Sequence, residues 1–419
     1  MITAAVPVQR ISMKQAWFVV ALLAVVGCLN YLDRVMITTM RDSIRSDMPM
    51  TDAQFGLLTS VFLWVYGLLS PLAGFLADKF NRSRVIIISL FVWSAVTWLT
   101  AHATSFNQLL ATRALMGLSE ACYIPAALAL ITDYHRGNTR SLATGIHMGG
   151  VMVGQSLGFL GGWIAENHHW SDAFGVFGLI GIGYAIILLL FLRDAPSHNN
   201  ADAEKDRSQR IHFWDAMKQL FSRKSFWLLL IFWGLLGIIG WMTMGWLPTY
   251  YKEHFNLSQT VAGLYATGYL YPVAFVGALI GGYLSDRASR RGGEKARVLV
   301  PALALAIAAP AVFIASSTSV VAVAITGFLF YGLTRIFGDV NLMPILCQIA
   351  DKRYRATGYG VLNLFASLVG GLGIYASGAL RDAHVNLSIL FKIAAGMLFI
   401  AVLLLFFIRR NIKENQAVD

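Results

Sequence analysis

Twelve apolar stretches, each long enough to cross a bilayer, recur along this 419-residue chain, and no single soluble core can hide that many. They run approximately over 14–38, 54–77, 84–103, 107–132, 141–165, 172–193, 225–250, 259–284, 298–316, 319–346, 356–379 and 387–408. The fold class expected is therefore an all-α membrane protein of twelve transmembrane helices. Composition agrees: 57% of residues are hydrophobic and only 13% charged, so lipid must be the solvent for much of the surface. One long polar stretch interrupts the series. It divides the chain into an N-terminal six-helix bundle, 1–193, a cytoplasmic interdomain loop, 194–224, and a C-terminal six-helix bundle, 225–419.

A net charge of +11 would suggest nucleic acid in a soluble protein, but here the basic residues collect in short loops between apolar runs. With a cytoplasmic N-terminus, the inside segments carry 25 of the 33 Lys and Arg, and the outside loops hold only Arg41, Arg45, Lys252 and Arg381. Arg34, Arg113, Arg335 and Lys392 fall within helices. Both termini are thus expected in the cytoplasm, with the lipid bilayer as partner, no nucleic acid, and a monomer as the unit. Residues 1–12 are mildly polar and precede a run long enough to remain in the membrane, so a cleaved leader is not expected. Cys28, Cys122 and Cys347 lack metal-ligand spacing, and neither a metal nor a cofactor is expected. The sequence holds no zinc-protease motif or phosphate loop, which argues against an enzyme.

Charge within the apolar runs is the stronger clue to function. Tyr31-Leu32-Asp33-Arg34 puts a carboxylate and a guanidinium inside the first helix, and Glu120 lies midway along the fourth. A charge at membrane depth is costly, so such residues usually face a water-filled cavity. Asp33 and Glu120 are the candidates for proton coupling, since desolvation raises a carboxylate pKa toward neutrality. Glu120 has no basic residue within a helical turn. Arg34 is the candidate anion anchor because its planar fork matches a carboxylate. If it pairs with Asp33 in the empty state, protonation of that carboxylate frees the guanidinium for substrate. A permanent salt bridge to Asp33 or Glu120 is the plainer alternative.

Tyr31, Tyr66 on the second helix, and His147 and Gln155 on the fifth are further candidate substrate contacts, their polar tips suited to a polyhydroxylated ligand. On the tenth helix Arg335 and Asp339 are four residues apart and share a face. They form either a self-contained salt bridge or a second cationic anchor for a dianion or a lipid-like head group. Asn363 on the eleventh helix completes the set.

An internal repeat supports paired halves. Gly74-Phe-Leu-Ala-Asp78-Lys79-Phe-Asn-Arg82 recurs 208 residues later as Gly282-Tyr-Leu-Ser-Asp286-Arg287-Ala-Ser-Arg290, each copy ending the second helix of its half. The glycines are expected to admit close helix packing, and the aspartates to pair with arginine or cap a neighbouring helix as a breakable latch. This loop, with the twelve spans, resembles the major facilitator superfamily over essentially the full length. Asn30-Tyr31-Leu32-Asp33-Arg34, Gly117-Leu-Ser-Glu120-Ala and Trp246-Leu247-Pro248-Thr249-Tyr250 resemble the anion:cation symporter family within it. Spinster-type transporters share a similar Asp-Arg and Gly-x-x-Glu-Ala. The resemblance implies a proton-coupled importer of a small organic anion, a sugar acid first, in a bacterial inner membrane. The alternative it implies is a Spinster-like transporter of a lysolipid or other amphipathic anion.

Overall fold

The computed structural model describes residues 12–135, 139–195 and 213–411, and of Pro71, Gly74, Phe75, Ala77, Asp78, Phe213 and Lys352 only the backbone. The expectations for the Gly74 and Asp78 side chains therefore lie outside the described residues. Among those described, helix is the regular structure throughout. Eleven helical stretches are long and apolar enough to cross a membrane. The remaining crossing, fifth in order, is built from two shorter helices, Arg140–Ser156 and Phe159–Asn167, broken at Leu157 and Gly158. Together they make the twelve-helix membrane fold.

In order, the other crossings are Met13–Thr39, Asp52–Lys79, Arg82–Thr100, Phe106–Glu120 continued by Tyr123–Tyr134, and Trp170–Phe191. In the second half they are Lys224–Phe255, then Gln259–Gly263 leading through a π-helical turn to Leu270–Gly292, and next Glu294–Ala315, Val321–Ile349, Arg355–Asp382 and Leu387–Asn411. A short helix, Phe213–Phe221, precedes the seventh crossing and buries Ala216 and Leu220. The first crossing packs on the fifth with almost no gap. A Cβ added to Gly150 would lie 2.2 Å from the carbonyl oxygen of Ala24, and one on Gly154 2.0 Å from that of Cys28, so only glycine permits this contact.

The halves are locked together at the end where the first crossing stops at Thr39. Arg41 binds Asp52, Asp42 and Glu253; Lys252 binds Asp42; Arg381 binds Asp52 and Glu253. Trp246, fully buried, sits between the Arg41 and Arg381 guanidinium groups at 5.9 and 5.3 Å and donates to the Ile374 carbonyl at 3.2 Å. Two carboxylates cap helices of the opposite half. Asp382 accepts from the Asp52 and Ala53 amides at 2.8 and 2.9 Å, where the second crossing begins. Glu166 accepts from the Thr260 amide at 2.9 Å, where the eighth begins. The second and eighth crossings occupy equivalent places in the two halves, as do the fifth and eleventh, so the caps are a pseudo-symmetric pair. Each meets the positive end of a helix dipole.

Contacts between the halves continue to mid-depth, where Ser60 donates to Gly371 O at 2.6 Å and Trp64 to Leu368 O at 3.0 Å. Beyond that level Tyr359, on the eleventh crossing, is 41% exposed.

In the second copy of the duplicated loop the expected aspartate–arginine pair forms at the start of a neighbouring helix. Asp286 pairs at 2.9 Å with Arg297 at the start of the ninth crossing, Arg82 pairs with Asp133 at the end of the fourth, and Arg287 reaches the Tyr283 hydroxyl at 3.4 Å. Each of these bonds stays within one half. Gly282 lacks the close packing expected of it, since an added Cβ would meet nothing within 4 Å.

Losing a helix cap costs about 1 kcal/mol, so Asp382→Ala is expected to raise the population open at the Thr39 end roughly fivefold. Pulsed electron resonance between labels at Ser46 and His384, exposed and in opposite halves, reads this directly. An unchanged distribution would assign closure to the arginine cluster alone. Burial raises the Asp42 pKa, but the Lys252 hydrogen bond and the Arg41 charge outweigh it and hold the carboxyl below the usual range. Its contribution to closure is therefore complete above about pH 4 and is lost as pH falls through the depressed value, a loss the same labels report.

Candidate functional site

Below the locked end, the first and fourth crossings bring four charges together. Arg34 Nε lies 2.6 Å from Glu120 Oε2, and both residues are at most 1% exposed. Asn30 Nδ2 donates to the same carboxylate oxygen at 2.9 Å. Successive residues on a helix point about 100° apart, so Asp33 cannot face the same neighbour as Arg34. Its carboxylate turns to the third crossing, accepting from Thr97 Oγ1 at 3.3 Å. The partner of Arg34 is thus Glu120, across the helix interface, and not Asp33. The absence of a base near Glu120 in sequence is overturned by the fold, which supplies one from another helix.

Tyr31 and Tyr66 come to Arg34 rather than standing apart as ligands. Their rings each lie 4.5 Å from its guanidinium carbon, and Phe62 lies at 5.0 Å. Cation–π contact of this kind holds the fork flat while leaving its edge free. Arg34 Nη2, Glu120 Oε1 and Asp33 Oδ1 are buried without a hydrogen-bond partner among the described residues. Buried polar atoms seldom stay unsatisfied, so these point into the place where a proton or ligand group acts.

Arg113, which the sequence reading placed only within a helix, is the fourth charge. It is fully buried, packs 5.2 Å from the Phe62 ring, and donates to the Asp33 carbonyl at 3.5 Å. The signal for it was its position seven residues before Glu120, two helical turns away on the same face. With Asp33, Arg34 and Glu120 it makes a formally neutral buried set.

His147 is fully buried in a helix seam, with its Nε2 lacking a partner among the described residues. Its Nδ1 lies 3.1 Å from the Leu23 carbonyl and its ring meets Tyr123 at 5.8 Å, in the seam between the first, fourth and fifth crossings. Gln155 is half-buried beside the break of the fifth crossing, and no hydrogen bond ties it to Arg34. Asn363 is half-buried on the eleventh, next to Leu364, which lies 3.7 Å from the Cβ position of Gly67. That places Asn363 at the level of Tyr66. Arg335 and Asp339 form the i,i+4 bridge at 2.6 Å, and Arg335 Nη2 also donates to the Leu236 carbonyl at 3.2 Å. Asn341, on the same helix, holds the eighth crossing through the Ser285 hydroxyl at 2.8 Å. Among the described residues no His, Cys, Asp or Glu cluster could hold a metal.

Two helix bundles facing each other over a polar, charged cleft define a secondary transporter. The family profile described as Major Facilitator Superfamily matches residues 23–374, and the chain belongs to that superfamily of membrane transport proteins. It is 28% identical to a probable sulfoacetate transporter of Cupriavidus necator, over 96% of this chain and 95% of that one. It is 27% identical to protein spinster homolog 3 of Danio rerio, over 89% and 78%, and 26% identical to the D-galactonate transporter of Escherichia coli, over 67% and 69%. Its fold is similar to that of a bacterial homolog of the human lysosomal transporter Spinster, in an inward-facing, unoccupied conformation, with TM-score 0.80, 24% identity and 96% and 98% coverage.

Removing one member of a buried ion pair strands the other. Glu120→Ala is expected to destabilise the protein by about 3–5 kcal/mol, whereas Thr97→Ala, which removes one long hydrogen bond, should cost about 1 kcal/mol or less. Thermal unfolding in detergent compares the two, and equal losses would remove the Arg34–Glu120 pair as the dominant buried interaction.

Proposed function

We propose that this protein is a proton-coupled symporter that imports a small organic anion, a sugar acid of the hexonate or hexuronate type, across a bacterial inner membrane by alternating access. The observation that carries this reading is the buried Arg34–Glu120 pair at 2.6 Å. A proton on Glu120 discharges its hold on Arg34 and leaves a fork, flanked by two tyrosine rings, for a substrate carboxylate. Release of substrate and proton restores the pair. Asp33, held by Thr97 beside Arg113, is the second proton-active group, and Tyr31, Tyr66, Gln155 and Asn363 serve the hydroxyl groups of the substrate.

Orientation follows the basic loops. With that orientation both termini lie in the cytoplasm and the locked Thr39 end faces outward. The relatives that move sulfoacetate and galactonate by name support an organic anion as cargo. The spinster relative, similar over 89% of this chain, favours a second reading, transport of an amphipathic anion such as a lysolipid. Parallel uptake of labelled galactonate, glucuronate and lysophospholipid into proteoliposomes separates them. Saturable uptake of a sugar acid alone is expected, and uptake of the lipid alone would replace this reading by the second.

Glu120→Gln mimics permanent protonation. It is expected to keep exchanging substrate across the membrane while losing accumulation driven by an imposed pH gradient, because only the proton cycle is removed. Accumulation at the parent rate would pass the role to Asp33.

A further inference from the structure

Arg335 and Asp339 belong to neither the locked end nor the Arg34 cluster, yet they lie level with the latter. Counting from the locked end, Arg34 is seven residues below Arg41 on the first crossing, about 10 Å at 1.5 Å per residue. Trp246 stacks against Arg41, and Gly240, six residues or about 9 Å below it, lies against the Arg335 guanidinium: a Cβ there would be 2.8 Å from Nη2. One arginine thus stands on each half at matched depth.

The two are built alike. Each is bound at 2.6 Å by a carboxylate of its own half, and each keeps a buried N–H without a partner among the described residues, Nη2 of Arg34 and Nε of Arg335. The Arg335 and Asp339 side chains are 21% and 23% exposed.

We propose that Arg335 is a second anion anchor, and that the substrate is a small dianion held at one acidic end by Arg34 and at the other by Arg335. This rests on the organic-anion reading above and replaces its hexonate or hexuronate, which carries one acidic group, with a small organic dianion. A monoanion engages one arginine and leaves the other on its own carboxylate. A molecule with acidic groups at both ends engages one arginine from each half and so bridges the two bundles, the contact that alternating access needs from its cargo. Guanidinium suits this role because its fork binds planar oxyanions bidentately.

The test is the affinity ratio of linear dicarboxylates of two to six carbons to their monoamides, measured by calorimetry on the purified full-length protein. A ratio of at least ten is expected for the best chain length, about 1.4 kcal/mol. In Arg335→Gln with Asp339→Asn, which retains a neutral hydrogen-bonding pair, the ratio is expected to fall to within twofold of one. Arg335→Lys keeps the charge without the fork and is expected to fall between. A double variant that keeps the parent ratio overturns the proposal and makes the pair structural. A wild-type ratio near one, with both probes bound, overturns it while leaving the organic-anion reading intact. Binding of neither probe, with saturable lysophospholipid binding, overturns both.

Discussion

Burial of charge at membrane depth is the constraint from which the rest of this structure follows. An arginine in hydrocarbon is tolerable only if paired, and Arg34 has one partner within hydrogen-bond distance, Glu120 on another helix. That pair fixes the rotation of the first crossing against the fourth. It turns Asp33 toward Thr97, sets Tyr31 and Tyr66 on the guanidinium faces, and leaves Arg113 beneath them. A bond that must form for folding and must weaken for transport gives one interaction two duties. Glycines make this possible, because only the missing side chains of Gly150 and Gly154 let the fifth crossing press close enough to seal the first crossing's other face.

The locked end obeys the same electrostatics with a different outcome. There the charges lie near water, where single ion pairs contribute little, and the structure compensates by linking them. Asp52 takes bonds from Arg41, Arg45 and Arg381, drawing two segments onto one carboxylate, and Trp246 fills the space between two of those arginines. The Asp382 and Glu166 caps add contacts that exist only when the halves meet, because each joins a side chain of one half to backbone amides of the other. Separation at this end exposes those amides to water, which replaces the bonds at modest cost. A gate built this way closes firmly and still opens.

The hydropathy of the chain alone determined its class, its twelve crossings and the split into two halves, because a backbone in lipid has few alternatives to helix. It also singled out Asp33, Arg34, Glu120, Arg335 and Asp339, since charge in an apolar run stands out whatever the fold. Pairing was legible only where it is local: Arg335 with Asp339, four residues apart on one helix, is the bridge that spacing implies. What only the tertiary structure decided is every relation between helices. The choice of Glu120 over Asp33 as partner to Arg34, the withdrawal of His147 into a helix seam and the carboxylate caps between halves all depend on helix rotation and depth. Those are set by packing over the whole bundle, by glycines and aromatics far from the charges, and no local pattern in the chain encodes them.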